Sequence, residues 1–267
     1  MSELLEIIKG RKSVRTFDGR PLSAEDRAAL ANYCASISNP FSIPITFRLL
    51  DAKAHGLSSP VIVGADTYLA AKVEKLPHFE IAYGYSFEKA CLYALSRGIG
   101  TVILAASLSR AAFEKAMELK SGEVMPVASP VGYPAEKKSI RESLMRKALK
   151  ADERKPFEQL FFEHDFAHPL PQTNPFAEAL ELARWAPSAT NVQPWRAVAE
   201  GGCVHFFEAK SLKDSPLGDV QKVDVGIALA HFDMALEEAG VKGSWHFSAP
   251  EIAAPANTYY IVTFRME

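Results

Sequence analysis

The chain has 267 residues, 48% of them hydrophobic, with 30 lysines and arginines against 32 aspartates and glutamates and a net charge of −2. That is enough apolar material for one large domain or two closely packed ones, and the charge balance argues against a nucleic-acid partner, which needs a basic surface. No apolar run approaches the roughly 20 residues of a membrane span, and the N-terminus carries glutamates instead of a signal peptide's apolar core.

In chain order, Glu3 to Ile8 reads as a short amphipathic helix leading into Arg11-Lys12-Ser13-Val14-Arg15-Thr16-Phe17. Cations and a hydroxyl within five residues, with Val14 pointing inward, make a phosphate clamp or, more blandly, a solvated basic turn. Phe87 to Arg97 places Ala90, Cys91, Ala94 and Leu95 at helical spacing, and Gly98-Ile99-Gly100 ends that helix before an apolar strand over Thr101 to Ala106. Pro126 to Pro134 reads as a second buried strand with a Gly-Tyr-Pro exit. The basic stretch that follows, from Lys137, Lys138 and Arg141 through Arg146 to Arg154 and Lys155, predicts an exposed linker helix stopped by Pro156, with only its first cations near any phosphate. His164 and His168 bracket Asp165 at a spacing that could hold a metal only on a helix; without a motif such as HExxH they read as part of a connector. Leu182 to Trp195, LARWAPSATNVQPW, is a helix that Pro187 stops, followed by a turn presenting Ser188, Asn191 and Gln193 beside Trp195. Such a turn anchors a helix end or meets the edge of a flat heterocycle. Cys34, Cys91 and Cys203 lie far apart in apolar contexts without a CxxC, as expected of buried thiols in a reducing, cytoplasmic compartment.

Three of these segments carry a resemblance. A-P-S-x-x-N-x-Q-P-W is similar to the flavin-contacting turn of the FMN-dependent nitroreductase family, R-K-S-x-R-x-F resembles that family's phosphate turn, and the helix, strand and G-Y-P pieces that lie between them here look like the family's buried central helix, the strand that passes the flavin and its later G-Y-P segment. The resemblance implies that Arg11 and Ser13, with Lys12 beside them, hold the phosphate and ribityl chain of FMN. It implies that Arg15 lies at the pyrimidine edge of the ring, where a cation stabilises reduced flavin. The strand end at Ala105 and Ala106 would pass the flavin and offer a backbone N–H, Arg141 would close over the phosphate, and Pro187, Ser188 and Asn191 would meet the ring.

The phosphate turn and the A-P-S-x-x-N turn are a few dozen residues apart in an ordinary member; here they lie near residues 13 and 190. An internal repeat accounts for this. Leu30 to Asn39 lines up without a gap against Leu182 to Asn191, Phe87 to Gly98 against Leu229 to Gly240, and Val127 to Tyr133 has a counterpart in Tyr259 to Phe264. Because family members are homodimers whose flavins lie between subunits, the chain resembles such a dimer fused into one polypeptide and is expected to act as a monomer. The expected fold is α+β, two halves each with a central sheet flanked by helices and related by a pseudo-twofold axis. Residues 1–150 form the first half, 151–172 a connector and 173–267 the second, packed closely enough to count as one domain. Where the second copy would have its clamp the chain reads Phe161 to Leu170, FFEHDFAHPL, in which Phe162 and Asp165 would repel or exclude a phosphate, so one flavin is expected per chain.

The implied activity is ping-pong: NAD(P)H reduces the flavin, nicotinamide leaves, and a nitroaromatic, quinone or similar acceptor takes its place. The flavin itself carries the chemistry, and no catalytic side chain is required. The absence of a G-x-G-x-x-G after a strand leaves NADH and NADPH undistinguished. The competing expectation is a flavin-binding protein for storage or sensing without efficient turnover.

Overall fold

The computed structural model describes residues 3–267. Helices α1 (Glu3–Gly10) and α2 (Ala24–Ser36) precede β1 (Thr46–Asp51), the single turn α3 (Ala52–His55), β2 (Thr67–Glu74) and the long helix α4 (Phe79–Ser96). Then come β3 (Gly100–Thr101), α5 (Arg110–Ala116), β4 (Glu123–Val124), β5 (Ala128–Gly132) and α6 (Ile140–Ala148). The rest comprises β6 (Phe161–Glu163), α7 (Ala177–Arg184), β7 (Trp195–Glu200), β8 (Cys203–Ala209), α8 (Val220–Glu238), β9 (Gly243–His246) and β10 (Thr258–Met266).

Local chemistry sets several of these boundaries. Ser23, Ser139 and Asp219 cap α2, α6 and α8 by accepting the N–H of Asp26, Glu142 and Gln221. Gly201 and Gly202, both at positive φ, close the two-residue hairpin between β7 and β8, a turn that requires left-handed backbone at both positions.

The strands form two five-stranded sheets. The first is antiparallel, in the order β1-β2-β5-β3 with β4 beside β2, and the second runs β6-β7-β8-β10-β9. Only β6 breaks the antiparallel pattern of the second sheet, pairing in parallel with β7. Thus the stretch read as a connector over 151–172 contributes an edge strand, with Phe161 opposite Ala197.

Helices α4 and α8 pack on each other along much of their length. Both are buried on nearly all faces, as expected of helices apolar all round. The backbones touch at two glycines: a Cβ on Gly84 would lie 2.0 Å from the carbonyl oxygen of Val223, and one on Gly226 2.2 Å from that of Ile81. Gly84 therefore sits at the crossing of the two central helices.

Other expectations shift in detail. The helix read from Phe87 starts at Phe79, because the tyrosines ahead of it are packed and satisfied: Tyr83 donates to the carbonyls of Val127 (2.6 Å) and Ala71 (2.9 Å). The strand read over Thr101 to Ala106 stops at Thr101, after which Leu104 makes an isolated bridge to Ala128 and the chain bends away. His164 has φ 65 and lies on a turn, and His168 Nδ1 pairs with Asp165 Oδ1 at 2.8 Å, so the helical spacing on which a metal reading depended does not form. Cys34, Cys91 and Cys203 are free and buried. Among the described residues no helix is long and apolar enough to cross a membrane.

Candidate functional site

A cleft of about 1060 Å³, counted to its open mouth, lies where the two sheet systems meet. It is lined by the turn after α1, the loop after β3, the segment after α6, the turn after α7 and the first turns of α8. Eight residues singled out in the sequence line it: Arg11, Ser13, Arg15, Ala105, Ala106, Pro187, Ser188 and Asn191. Lys12 and Arg141 do not. The chain from Arg11 to Arg15 runs extended, with Ser13 bridged to Thr101 and the Val14 N–H donating to the Thr101 carbonyl at 2.9 Å. Side chains alternate along such a segment, so residues 11, 13 and 15 face the cleft while Lys12 is exposed. Arg141 lies on the outer face of α6 and donates to the carbonyl of Pro60.

Three guanidinium groups converge on the cleft: Arg11, Arg15 and Arg154. Each has a buried nitrogen without a hydrogen-bond partner, Nε of Arg11, Nε and Nη1 of Arg15, and Nε of Arg154. Burial depresses the pKa of Arg15, Glu142 opposes that shift, and Arg146 and Arg11 add to it. Burial likewise pushes Arg154 down to about 10, with Arg11 and Arg184 contributing as neighbouring cations. Clustered, desolvated cations with unfilled donors fit an anion such as a phosphate monoester.

Arg154 is the main site residue that the sequence reading misplaced. The basic stretch contributes a late cation, Arg154, to the cleft and none of its first ones, because the chain after α6 is folded back over the site. The turn after α7 holds it there. Asn191 Nδ2 donates to the carbonyls of Lys150 (2.8 Å) and Glu153 (3.1 Å), and Gln193 Oε1 accepts the Lys155 N–H at 2.8 Å. Asn191 therefore lines the cleft with its amide donors already engaged, and a direct bond from those donors to a flavin edge is not how this side chain is arranged. Ser188 Oγ accepts the Gln193 N–H at 2.9 Å. Thr190, Asn191 and Gln193 all have positive φ (51, 58 and 53), a concentration of strained backbone of the kind that gathers at ligand sites.

The loop after β3 is fixed from behind by Arg110, which donates to the carbonyls of Ala105, Met125 and Pro126. A second cavity of about 780 Å³ adjoins the cleft there, sharing Ala105, Ala106 and Val220 and bounded by Leu217, Val223 and Pro126.

Two buried acids complete the surroundings. Glu88 of α4 lies 3.9 Å from Arg11 Nε and 2.9 Å from His231 Nε2 of α8, whose Nδ1 is 3.1 Å from the Leu182 carbonyl. Since that carbonyl can only accept, Nδ1 carries a proton, and the Glu88–His231 contact requires at least one more between them. Asp224 of α8 lines the cleft and accepts the Ala189 N–H at 3.0 Å. Its only trace in the sequence is a single carboxylate inside the apolar run around Val223 to Phe232.

The family described as "Putative TM nitroreductase" matches residues 3–236. Among solved structures, one described as a "putative nitroreductase" from Thermotoga maritima superposes with a TM-score of 0.63 at 21% identity, covering 99% of this chain and 93% of that one. An oxidoreductase containing FMN superposes with a TM-score of 0.51 at 13% identity, over 61% of this chain and 92% of its own. These likenesses concern the fold. No curated protein matches the sequence.

Proposed function

The chain belongs to the nitroreductase family, and from its cleft we propose that it is an FMN-dependent oxidoreductase that passes electrons from NAD(P)H to a small acceptor such as a quinone or nitroaromatic. The observation that carries this reading is the set of unfilled guanidinium donors at Arg11, Arg15 and Arg154 in a cleft with a mixed apolar wall. Arg11 and Arg154 would hold the phosphate, with Ser13 beside them. Arg15 would supply positive charge to the polar edge of the ring, and the strained turn from Pro187 to Asn191 would wall it. When bound, FMN would supply the hydride-transfer chemistry between a nicotinamide and the acceptor. The protein's own part on this reading is to bind and orient the cofactor and the acceptor.

We further infer that the chain is two copies of one unit, acting as a pseudo-dimer. The strand orders β1-β2-β5-β3 and β7-β8-β10-β9 correspond term by term, with α4 and α8 in equivalent positions. The two glycine contacts are reciprocal, as at a twofold interface. The cleft draws Arg11, Ser13 and Arg15 from the first half and Pro187, Ser188 and Asp224 from the second.

The mirror position supports a single flavin. There Asn39 is satisfied by its own turn, bonding to Ile43 and Phe41 and reaching Ser86, while Phe166 packs against both Phe162, tilted, and Phe207, edge to face.

Flavin titration followed by anaerobic addition of NADH and NADPH tests the reading. A yellow protein that binds one FMN per chain and bleaches supports it; one that stays oxidised with both nucleotides is a flavin store or sensor.

A further inference from the structure

Asp224 lies in the second turn of α8, with its side chain on the cleft and the residue only 3% exposed. Its Oδ2 accepts one backbone N–H, from Ala189, and among the described residues no lysine, arginine or histidine forms an ion pair with it. The groups behind it are mostly acidic: Asp219 at the start of α8 and Glu208 of β8. Lys210, the nearest compensating cation of that cluster, is engaged by Asp214 and Asp219, and Lys222 acts on Glu208 and Asp214. Arg11, Arg15 and Arg154 line the same cleft without pairing to Asp224. Burial first, and then those two carboxyls, drive its pKa well above the usual carboxylate range, against the Ala189 N–H.

Its placement matters as much. Val220, one helical turn earlier on the same face, belongs to both the cleft and the adjoining cavity of about 780 Å³. That cavity shares Ala105 and Ala106 with the cleft and is walled by Leu217, Val223 and Pro126 with Arg110, Ser215 and Asp219 among them, a mostly apolar lining with a few polar groups that suits a flat acceptor such as a quinone. Asp224 thus lines the cleft one helical turn from a residue that the two spaces share.

Resting on the oxidoreductase reading above, we propose that Asp224 is a catalytic acid that donates the proton the acceptor takes up with its hydride equivalent. For a quinone the balance is one hydride equivalent, with electrons originating in NAD(P)H, plus one proton, giving the hydroquinone. The carboxyl O–H bond of Asp224 breaks as the acceptor's O–H bond forms, and the carboxylate left behind regains its proton from water. Glu208 and Asp219 disfavour that carboxylate and so favour reprotonation.

The test uses Asp224→Asn, which keeps size and neutrality. In the FMN-loaded protein the rate of anaerobic reduction by NAD(P)H is compared with the rate of reoxidation by menadione; reoxidation is expected to slow by about 10²-fold or more relative to reduction, with partial recovery in Asp224→Glu. Independently of turnover, infrared difference spectra of wild type against Asp224→Asn at about pH 8 are expected to show the carbonyl stretch of a protonated carboxyl. An unchanged ratio of the two rates, or an ionised carboxylate in the infrared difference, overturns the proposal. A protein that takes up no FMN overturns the function reading, and the infrared arm then still decides whether Asp224 holds its proton.

Discussion

A buried guanidinium with an unfilled donor is costly until an anion completes it, and among the described residues Arg15 and Arg154 have no ion pair while Arg11 has only the long 3.9 Å contact to Glu88. Arg154→Ala and Arg11→Ala are each expected to weaken FMN binding by about 1.5–3 kcal/mol, or roughly one to two decades, while riboflavin, which lacks the phosphate, is much less affected. Lys12→Ala and Arg141→Ala are expected to change neither titration, since both residues lie outside the cleft. Equal losses for the two flavins in Arg154→Ala would remove it from the phosphate pocket. The contrast also shows what a sequence can disclose at this scale. Alternation along an extended segment makes residues 11, 13 and 15 a set, whereas nothing local distinguishes Arg154 from the other cations of its stretch; its place depends on Asn191 and Gln193, some forty residues away. Glu208 is a second residue read only in three dimensions. Fully buried beside Asp219, it is pushed up to about 7. A carboxyl whose pKa is higher folded than unfolded stabilises the fold below its unfolded value, and that contribution is lost as pH rises through the folded one. Thermal stability should therefore fall as pH rises from the ordinary glutamate range to about 7 and level off above it as far as this group is concerned. Glu208→Gln should flatten that slope; melting curves across the range with identical slopes for both proteins would assign the dependence elsewhere.

At the level of elements, the turn after α7 and the segment it holds behave as one device. Asn191→Ala removes two bonds to the carbonyls of Lys150 and Glu153 and leaves Gln193 to hold the segment through the Lys155 N–H. The expected result is faster limited proteolysis within 150–155 together with weaker FMN binding, because Arg154 is no longer held over the cleft. Asn39→Ala removes a comparable set of bonds within its own turn and is expected to lower stability by about 1–3 kcal/mol without altering flavin titration. Loss of flavin affinity in Asn191→Ala without increased cleavage would point instead to direct contact between Asn191 and the cofactor. The central helices were legible from their apolar spacing and the glycines that end them. Their N-terminal turns were not, because tyrosines and isolated polar residues obscure periodicity until their partners are known. The short β3 and the parallel β6 were harder still: two or three residues carry almost no pattern of their own, and their pairing is decided by strands distant in sequence.

For the whole molecule, the crossing of α4 and α8 is the feature on which the two halves depend. Gly84 approaches the Val223 carbonyl and Gly226 the Ile81 carbonyl, so each glycine admits the backbone three residues before the other. Neither obstacle is a flexible side chain that could swing aside. On the proposed duplication, this reciprocity is the remnant of a subunit interface now closed within one chain, and a solution mass equal to that of a single chain should accompany it. Gly84→Ala and Gly226→Ala each force the helices apart and are expected to destabilise the protein by about 1–3 kcal/mol or more. They should also weaken FMN binding, because the cleft is built from both halves and Asp224 lies less than one turn from Gly226. The double variant carries the sharper expectation. A separation that admits one methyl group already relieves part of the clash at the other, so the combined loss should fall short of the sum of the two single losses, as for residues sharing one contact. Denaturant unfolding of the four proteins measures this directly. Additive losses would mean that the glycines serve two independent contacts, and the crossing would then give no support to a twofold origin.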